Sequence, residues 1–294
     1  MNNLKFIISF LFVINSLCSQ NLNSIYDSLN IITSDSLKVN YIIDKVINPL
    51  EAIADFQKAQ VELDKAKKYI NGNKNIDFKL NIKSIDLLIS QEKFDKANQK
   101  IILLETEALK LRNIYQQGVC LRLKAQIQLY TGNLTKSSEY YFKALEKFKE
   151  IKLIPMVAIS YGDIATISYY NENYKQATEY WEKSIELDET IGKKNRMANN
   201  LSNLGIAYIE DGNLAKAETS LMKALSISNE IKDDAIKAST HVNLTKLEYS
   251  KKNYRKAIEY NNLAAAYYES VKKYSTLSNV YSNGAELART GKEY

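Results

Sequence analysis

The spacing of apolar positions between residues 199 and 227, NNLSNLGIAYIEDGNLAKAETSLMKALSI, predicts two helices and a tight turn. Leu201, Leu204, Gly205 and Tyr208 form one group and Leu214, Ala217, Leu221 and Ala224 a second. Intervals of three or four within each group place its members on one helical stripe. Between the groups, Glu210-Asp211-Gly212-Asn213 is polar, and Gly212 and Asn213 both tolerate a positive φ. The segment reads as a helical hairpin.

The hairpin recurs every 40 residues. Phe94, Leu134, Tyr174, Leu214, Tyr254 and Tyr294 form a large apolar column, and Ile101, Tyr141, Trp181, Leu221 and Asn261 follow seven residues later. Small residues dominate three further columns: Ala97, Ser137, Ala177, Ala217 and Ala257; Leu104, Ala144, Ser184, Ala224 and Ala264; and Ile85, Ala125, Ala165, Gly205, Thr245 and Ala285. Leu111, Ile151, Ile191, Ile231 and Val271 keep the same phase near the end of each second helix, and no insertion breaks the register from residue 77 onward. A small residue at a helix crossing lets the axes approach, and large residues one turn away fill the groove between them. One hairpin cannot bury its own stripe, so the hairpins must stack.

Leu201, Leu204-Gly205, Tyr208, Ala217, Leu221 and Ala224 carry a resemblance to the tetratricopeptide repeat, which asks for a large residue, Leu-Gly and Tyr in its first helix and for Ala, a large residue and Ala in its second. That repeat is 34 residues long. The longer period here resembles a long variety whose extra residues would extend the second helix and the loop after it. Ile85 and Asn261 depart from the pattern. The resemblance implies an all-α fold, a right-handed superhelical solenoid of antiparallel helix pairs. An irregular repeat is expected at 35–76, regular repeats at about 78–116, 117–156, 157–196, 197–236 and 237–276, and a truncated one at 277–294.

Upstream, Lys5 precedes an apolar run from Phe6 to Ile14, too short to span a bilayer, and the small residues Ser16, Cys18 and Ser19 follow. Residues 1–19 therefore read as a secretory signal peptide, with cleavage after Cys18 or Ser19, and the chain as periplasmic or otherwise extracytoplasmic. The rival reading, acylation of Cys18, is opposed by Leu17, where a lipoprotein signal resembles a motif wanting Gly, Ala or Ser. Residues 20–34 carry a short stripe at Leu22, Ile25, Tyr26 and Leu29 and read as an N-terminal cap helix. Asp35-Ser36 is expected to start a helix running to about Ile47, and Asn48-Pro49 to restart one. Phe56, Ala59, Leu63 and Ala66 read as the second helix of the irregular repeat, closed by Asn71-Gly72-Asn73. At the other end a first helix from Ser275 to Ala288 has no second helix after it, so Tyr281, Ala285 and Ala288 would lack a partner. That reads as a fragment, or as a repeat completed by another chain or a downstream segment.

With 45% apolar residues, 2 Pro and 9 Gly the composition permits helix throughout. The net charge of +6, or +5 once Lys5 leaves with the signal peptide, is interspersed, with no stripe suited to nucleic acid. Once Cys18 is removed or acylated, Cys120 has no disulfide partner within the chain. It reads as a small buried residue. His241 occupies a large-residue position, and a lone histidine is a poor metal site. There is no phosphate loop, Cys-x-x-Cys pair or nucleophile motif, and the acids read as solvated helix surface. No catalytic, metal or cofactor site is expected in this chain; a missing C-terminal region such as a histidine kinase could be an enzyme.

Binding is the expected role. In proteins similar to this repeat family the first helices line a concave wall, where Asn hydrogen-bonds the backbone of an extended peptide; a side-chain amide offers both donor and acceptor. Asn203, Asn243 and Asn283 recur at one such position, and Asn199 and Asn279 one turn earlier. The competing reading is that Asn is simply abundant and fits an exposed helix. Tyr130, Tyr169, Tyr170 and Tyr249 face the groove in the register, though packing between repeats is the plainer role. Arg122 and Lys246 point the same way and could receive a ligand carboxylate, with ordinary solvated charge the plainer role again. A signal peptide followed by long repeats resembles the extracytoplasmic sensor part of bacterial histidine kinases and helix-turn-helix regulators. The alternative is a free-standing periplasmic or surface scaffold.

Overall fold

The computed structural model describes residues 27–271 and 274–290. The expected signal peptide with Cys18, the first part of the expected cap helix and Tyr294 lie outside them. Among the described residues the chain is helical and without strands. Helix α1 spans Asp35–Ile42, runs through a π-helical turn at Ile43–Ile47 and continues as Asn48–Ala52; α2 is Phe56–Ala66. There follow α3 (Lys74–Ser90), α4 (Phe94–Lys110), α5 (Ile114–Tyr130), α6 (Leu134–Glu150), α7 (Ile154–Tyr170) and α8 (Tyr174–Thr190). The series ends with α9 (Lys194–Glu210), α10 (Leu214–Glu230), α11 (Asp234–Ser250), α12 (Tyr254–Ser270) and α13 (Tyr274–Thr290). The chain divides into two compact units, Met1–Lys100 and Ile101–Tyr294.

In the first unit, Val39, Ile42, Val46, Ile47 and Leu50 of α1 pack with Ala59, Leu63 and Ala66 of α2, with Ile76, Leu80 and Leu87 of α3, and with Leu29. An α-helical segment starts at Asn48 with Pro49 in its first turn, as the sequence suggests, but it follows the preceding turn without a gap. The preceding π-helical turn carries α1 past Pro49 without a break. A proline inside an α-helix has no N–H to donate and its ring collides with the carbonyl four residues back; the wider turn relieves both.

From α3 to α13 every helix is 17 residues long. Every turn from 91–93 to 251–253 has three residues. The extra length over a 34-residue repeat is therefore not placed in the second helix and its loop. The middle turn residue is always left-handed: Gly132, Gly192 and Gly212 at φ 78, 66 and 77°, but also Glu92, Arg112, Lys152, Glu172, Lys232 and Lys252 at 52–60°. Each turn closes with a Schellman pair, as where Asn213 N–H donates to the Tyr208 carbonyl and Gly212 N–H to that of Ile209. At five of the turns the side chain of the third residue then caps the next helix, whereas Leu153, Lys193 and Asn253 make no such bond. Asn113, Asn133, Asn173, Asn213 and Asp233 each accept a backbone N–H three residues on, at 3.0–3.3 Å. At these turns one residue ends one helix and starts the next, which accounts for four of the chain's asparagines. The column from Leu111 to Val271 falls on the first turn residue, outside the helices.

In the second unit, consecutive helices from α5 to α13 pack on each other, and the first helices α9 and α11 also touch. Ala177, Ala217, Ala257, Ala144, Ala224 and Ala264 are fully buried, and Tyr141, Trp181 and Leu221 fill the adjoining space. Two serines in the small columns use their hydroxyls to tie helices together: Ser137 Oγ donates to the Ala125 carbonyl at 2.8 Å and Ser184 Oγ to that of Ala158 at 2.7 Å. On α13, Tyr281 and Ala285 are exposed where their equivalents Leu201 and Gly205 are buried.

Candidate functional site

First helices lying side by side bring residues about 40 apart into contact, so the wall that they form is laced internally before any ligand arrives. Arg122 Nε on α5 donates to Asp163 Oδ2 on α7 at 2.6 Å. On α9, Glu210 accepts the Tyr169 hydroxyl from α7 at 3.2 Å and pairs with Lys246 of α11. Burial and the Glu210 carboxylate push the Tyr169 phenol up to about 12. Asn243 Nδ2 donates to the backbone and side-chain oxygens of Ser202 at 3.2 and 2.9 Å. Both cations expected to meet a ligand carboxylate already face an acid of this chain, and the donor end of Asn243 is spent on the neighbouring helix.

Asn199 and Asn203 are exposed on α9, as are Asn279 and Asn283 on α13. Tyr130 and Tyr170, the last residues of α5 and α7, are 62% and 56% exposed. Only three of the nine residues expected to bind a peptide share one cavity: Asn243, Lys246 and Asn283 line a cleft of about 360 Å³ with Ile206, Val242, Tyr249 and Leu287. Its walls come from α9, α11 and α13, apolar at the sides, and its polar lining is two amides, the Thr245 hydroxyl, the Lys246 cation and the Glu286 carboxylate. Asn283 has no hydrogen-bond partner among the described residues. The cleft can take an apolar side chain while Asn283 pairs with a peptide unit beside it.

His241 packs rather than ligates: it is 8% exposed and stacks on Tyr260 with ring centres 5.7 Å apart. Burial first, and Lys237 second, hold its pKa below the usual value. The folded protein therefore keeps His241 neutral at a pH where the unfolded chain begins to take up a proton, near 6.5. Its contribution is fully present above about pH 6.5 and is lost as pH falls through the folded value. Urea melts at pH 7.5 and 5.5 should show this loss in the wild type, and His241→Gln should lose less over the same interval. Cys120 is fully buried, and burial with the Glu105 carboxylate pushes its thiol up to about 12, an inert state.

The reading of all acids as solvated surface is corrected by Glu62, Asp188 and Glu248, which are 3%, 0% and 2% exposed. Asp188 on α8 accepts Arg196 Nε of α9 at 2.7 and 2.8 Å and Asn200 Nδ2 at 3.4 Å; Asn200 Nδ2 also donates to Ser184 Oγ at 2.8 Å. The signal was present in the 40-residue register, because Asp188 stands where Phe148, Ser228 and Tyr268 are buried. A carboxylate at a core position needs a cation, and Arg196 is one turn into the next helix. Among the described residues no group of three or more His, Cys, Asp and Glu could hold a metal ion, and no helix is long and apolar enough to cross a membrane.

A tetratricopeptide repeat family model matches residues 156–230 and 196–270. A sequence search of curated proteins finds no match. Among solved structures the chain is similar to a signal transduction ATPase with numerous domains and a tetratricopeptide repeat sensor from Pyrococcus horikoshii, at TM-score 0.65 and 20% identity over 86% of this chain. It spans only 38% of that protein's length. It is also similar to BtubC from P. vanneervenii, at TM-score 0.59 and 19% identity over 78% of this chain and 92% of the other. A Rap protein complexed with competence and sporulation factor matches at TM-score 0.62 and 15% identity over 94% of this chain and 81% of the other. At these identities the likeness is one of fold. Residues 156–270 thus match the tetratricopeptide-repeat family model, and the regular helices on either side share the helix-pair fold of such proteins.

Proposed function

We propose that this chain is a non-catalytic binding domain that holds an extended peptide against its first helices, centred on the cleft between α9, α11 and α13. The observation that carries the reading is the convergence of Asn243, Lys246 and Asn283, chosen from the sequence for other reasons, on one apolar-walled cleft with a free amide at its rim. Asn199, Asn203 and Asn279 extend the polar track along α9 and α13. Arg122, Tyr130 and Tyr170 lie on the more N-terminal first helices and would meet a ligand only if it ran the length of the wall. Peptides selected from a random library on the wild-type protein should lose affinity about 5–10-fold on Asn283→Ala, the scale of one desolvated hydrogen bond. Selected peptides that bind Asn283→Ala and Tyr249→Ala as tightly as wild type would remove the cleft from the reading.

We further propose that the domain is the extracytoplasmic sensor part of a signal-transduction protein, with a free-standing scaffold as the second reading. The support is the pattern of residues 1–19 together with the structural likeness to a Rap protein complexed with competence and sporulation factor and to a protein described as carrying a repeat sensor. Residues 1–34 fused to bacterial alkaline phosphatase, which is active only after export, should give active enzyme. An inactive, cytoplasmic fusion would sink the extracytoplasmic placement.

A further inference from the structure

A second cleft, of about 540 Å³, opens between the second helices α6 and α8 at the start of α7. Its floor is apolar, made of Ile154, Val157, Leu187 and the Tyr161 ring, and its rim carries Lys149, Lys152 and Lys183 against a single carboxylate, Glu186. Two of these cations lie over aromatic rings. Lys149 Nζ and Lys183 Nζ lie 5.8 and 5.9 Å from the centre of the Tyr161 ring, Lys183 Nζ is 4.9 Å from that of Tyr180, and the two rings stack at 5.8 Å.

Two observations separate this cluster from ordinary solvated charge. The first is pairing. Arg122 and Lys246 are matched by acids of the chain, whereas Lys152 and Lys183 have no carboxylate partner among the described residues, and Lys149 has only Glu146, itself 69% exposed. The second is register. The positions of Lys149, Lys152, Ile154, Tyr161 and Lys183 are filled at the next junction by Glu189, Gly192, Lys194, Leu201 and Lys223, and at the one before by Leu109, Arg112, Ile114, Leu121 and Lys143. Lys194 is paired with Glu230. Each junction has the same packing to satisfy, so a cluster present at one of them is not accounted for by packing.

We infer that this cleft is a docking site, distinct from the first-helix wall, for an acidic peptide segment carrying one aromatic or aliphatic anchor. The anchor covers Ile154, Val157 and Leu187, and carboxylates on either side meet the unmatched ammonium groups of Lys152 and Lys183 and that of Lys149 beside its exposed partner Glu146, an arrangement of charge complementary to the rim. A backbone amide track is not required, which sets this mode apart from that of the Asn283 cleft.

The test uses the full chain and a fluorescein-labelled peptide with one Phe flanked on each side by two Glu, read by fluorescence polarisation. Lys149→Gln and Lys183→Gln should each weaken binding by about 2–5-fold, the scale of an exposed ion pair, and more in combination. Raising salt should weaken it further. Replacing the Phe by Ala, or the Glu residues by Gln, should abolish measurable binding, while Asn283→Ala should leave it unchanged. Lys223→Gln, the register equivalent of Lys183, should also have no effect. The inference is overturned by no binding to the wild-type protein, by equal binding of the Gln peptide, or by a loss on Lys223→Gln as large as that on Lys183→Gln, which would mark diffuse charge attraction. The helical melt of each lysine variant should match wild type, and Lys183→Arg should restore binding.

Discussion

Gly205→Leu should destabilise the protein by up to about 3 kcal/mol, the upper range for forcing volume into a packed core. A Cβ built on Gly205 would lie 2.5 Å from Leu221 Cγ and 2.6 Å from Cδ2, and Leu221 is fully buried. Cγ sits near the backbone of α10, so it cannot swing away as the end of a long side chain could. Even Gly205→Ala should lose stability, although glycine in an unconstrained helix position gives up about 1 kcal/mol to alanine. Leu221→Ala alone should cost about 2–5 kcal/mol through the cavity it leaves. Combined with Gly205→Leu, the new side chain occupies part of that cavity, and the double variant should be more stable than the sum of the single losses by about 1–3 kcal/mol. Urea unfolding followed by helical circular dichroism reads all three. Simple additivity would mean that Gly205 and Leu221 do not share the crossing.

The Gly205 and Leu221 pair also shows why the fold was legible. A helix crossing writes itself into sequence as a small position and a large one at fixed separation, and forty-residue repetition lets five weak statements confirm one another. Gly118 against Phe148 repeats the device, with a Cβ there 2.6 Å from the ring, at a position that the columns had not included. Less legible was the length of the helices. Glu92, Arg112, Lys152, Glu172, Lys232 and Lys252 take a left-handed conformation without glycine, so residue type alone does not mark those turns. At Pro49 the helix start was legible, since proline favours the first turn, but the π-helical turn before it has no residue signature.

The candidate site was legible only in part. Periodicity located the wall of first helices, and the asparagines placed on α11 and α13 do reach a cleft. It could not show that Asn243, Arg122 and Lys246 would be engaged by Ser202, Asp163 and Glu210, because those partners lie one repeat away and their meeting depends on how far each helix pair is rotated on the last. The rim of Lys149, Lys152 and Lys183 was missed because it breaks the repetition that guided the reading.

The same exception to repetition governs the second large effect. Asp188 is fully buried in a column otherwise filled by Ala108, Phe148, Ser228 and Tyr268, and Arg196 answers it with two hydrogen bonds from Nε and a further ion-pair contact. Arg196→Met should cost about 3–5 kcal/mol, because the carboxylate stays out of water with only the 3.4 Å contact to Asn200 against it. Asp188→Ser, which copies Ser228, should cost less: Arg196 is 24% exposed and can turn its guanidinium toward solvent. Asp188→Leu with Arg196→Met removes both charges and fills the space, and should recover most of the stability lost in Arg196→Met alone, since an apolar replacement for a buried ion pair is often neutral. Denaturant midpoints of the three variants decide the matter. A loss below about 1 kcal/mol for Arg196→Met, the range of an exposed pair, would show that water reaches Asp188 at the α8 and α9 junction.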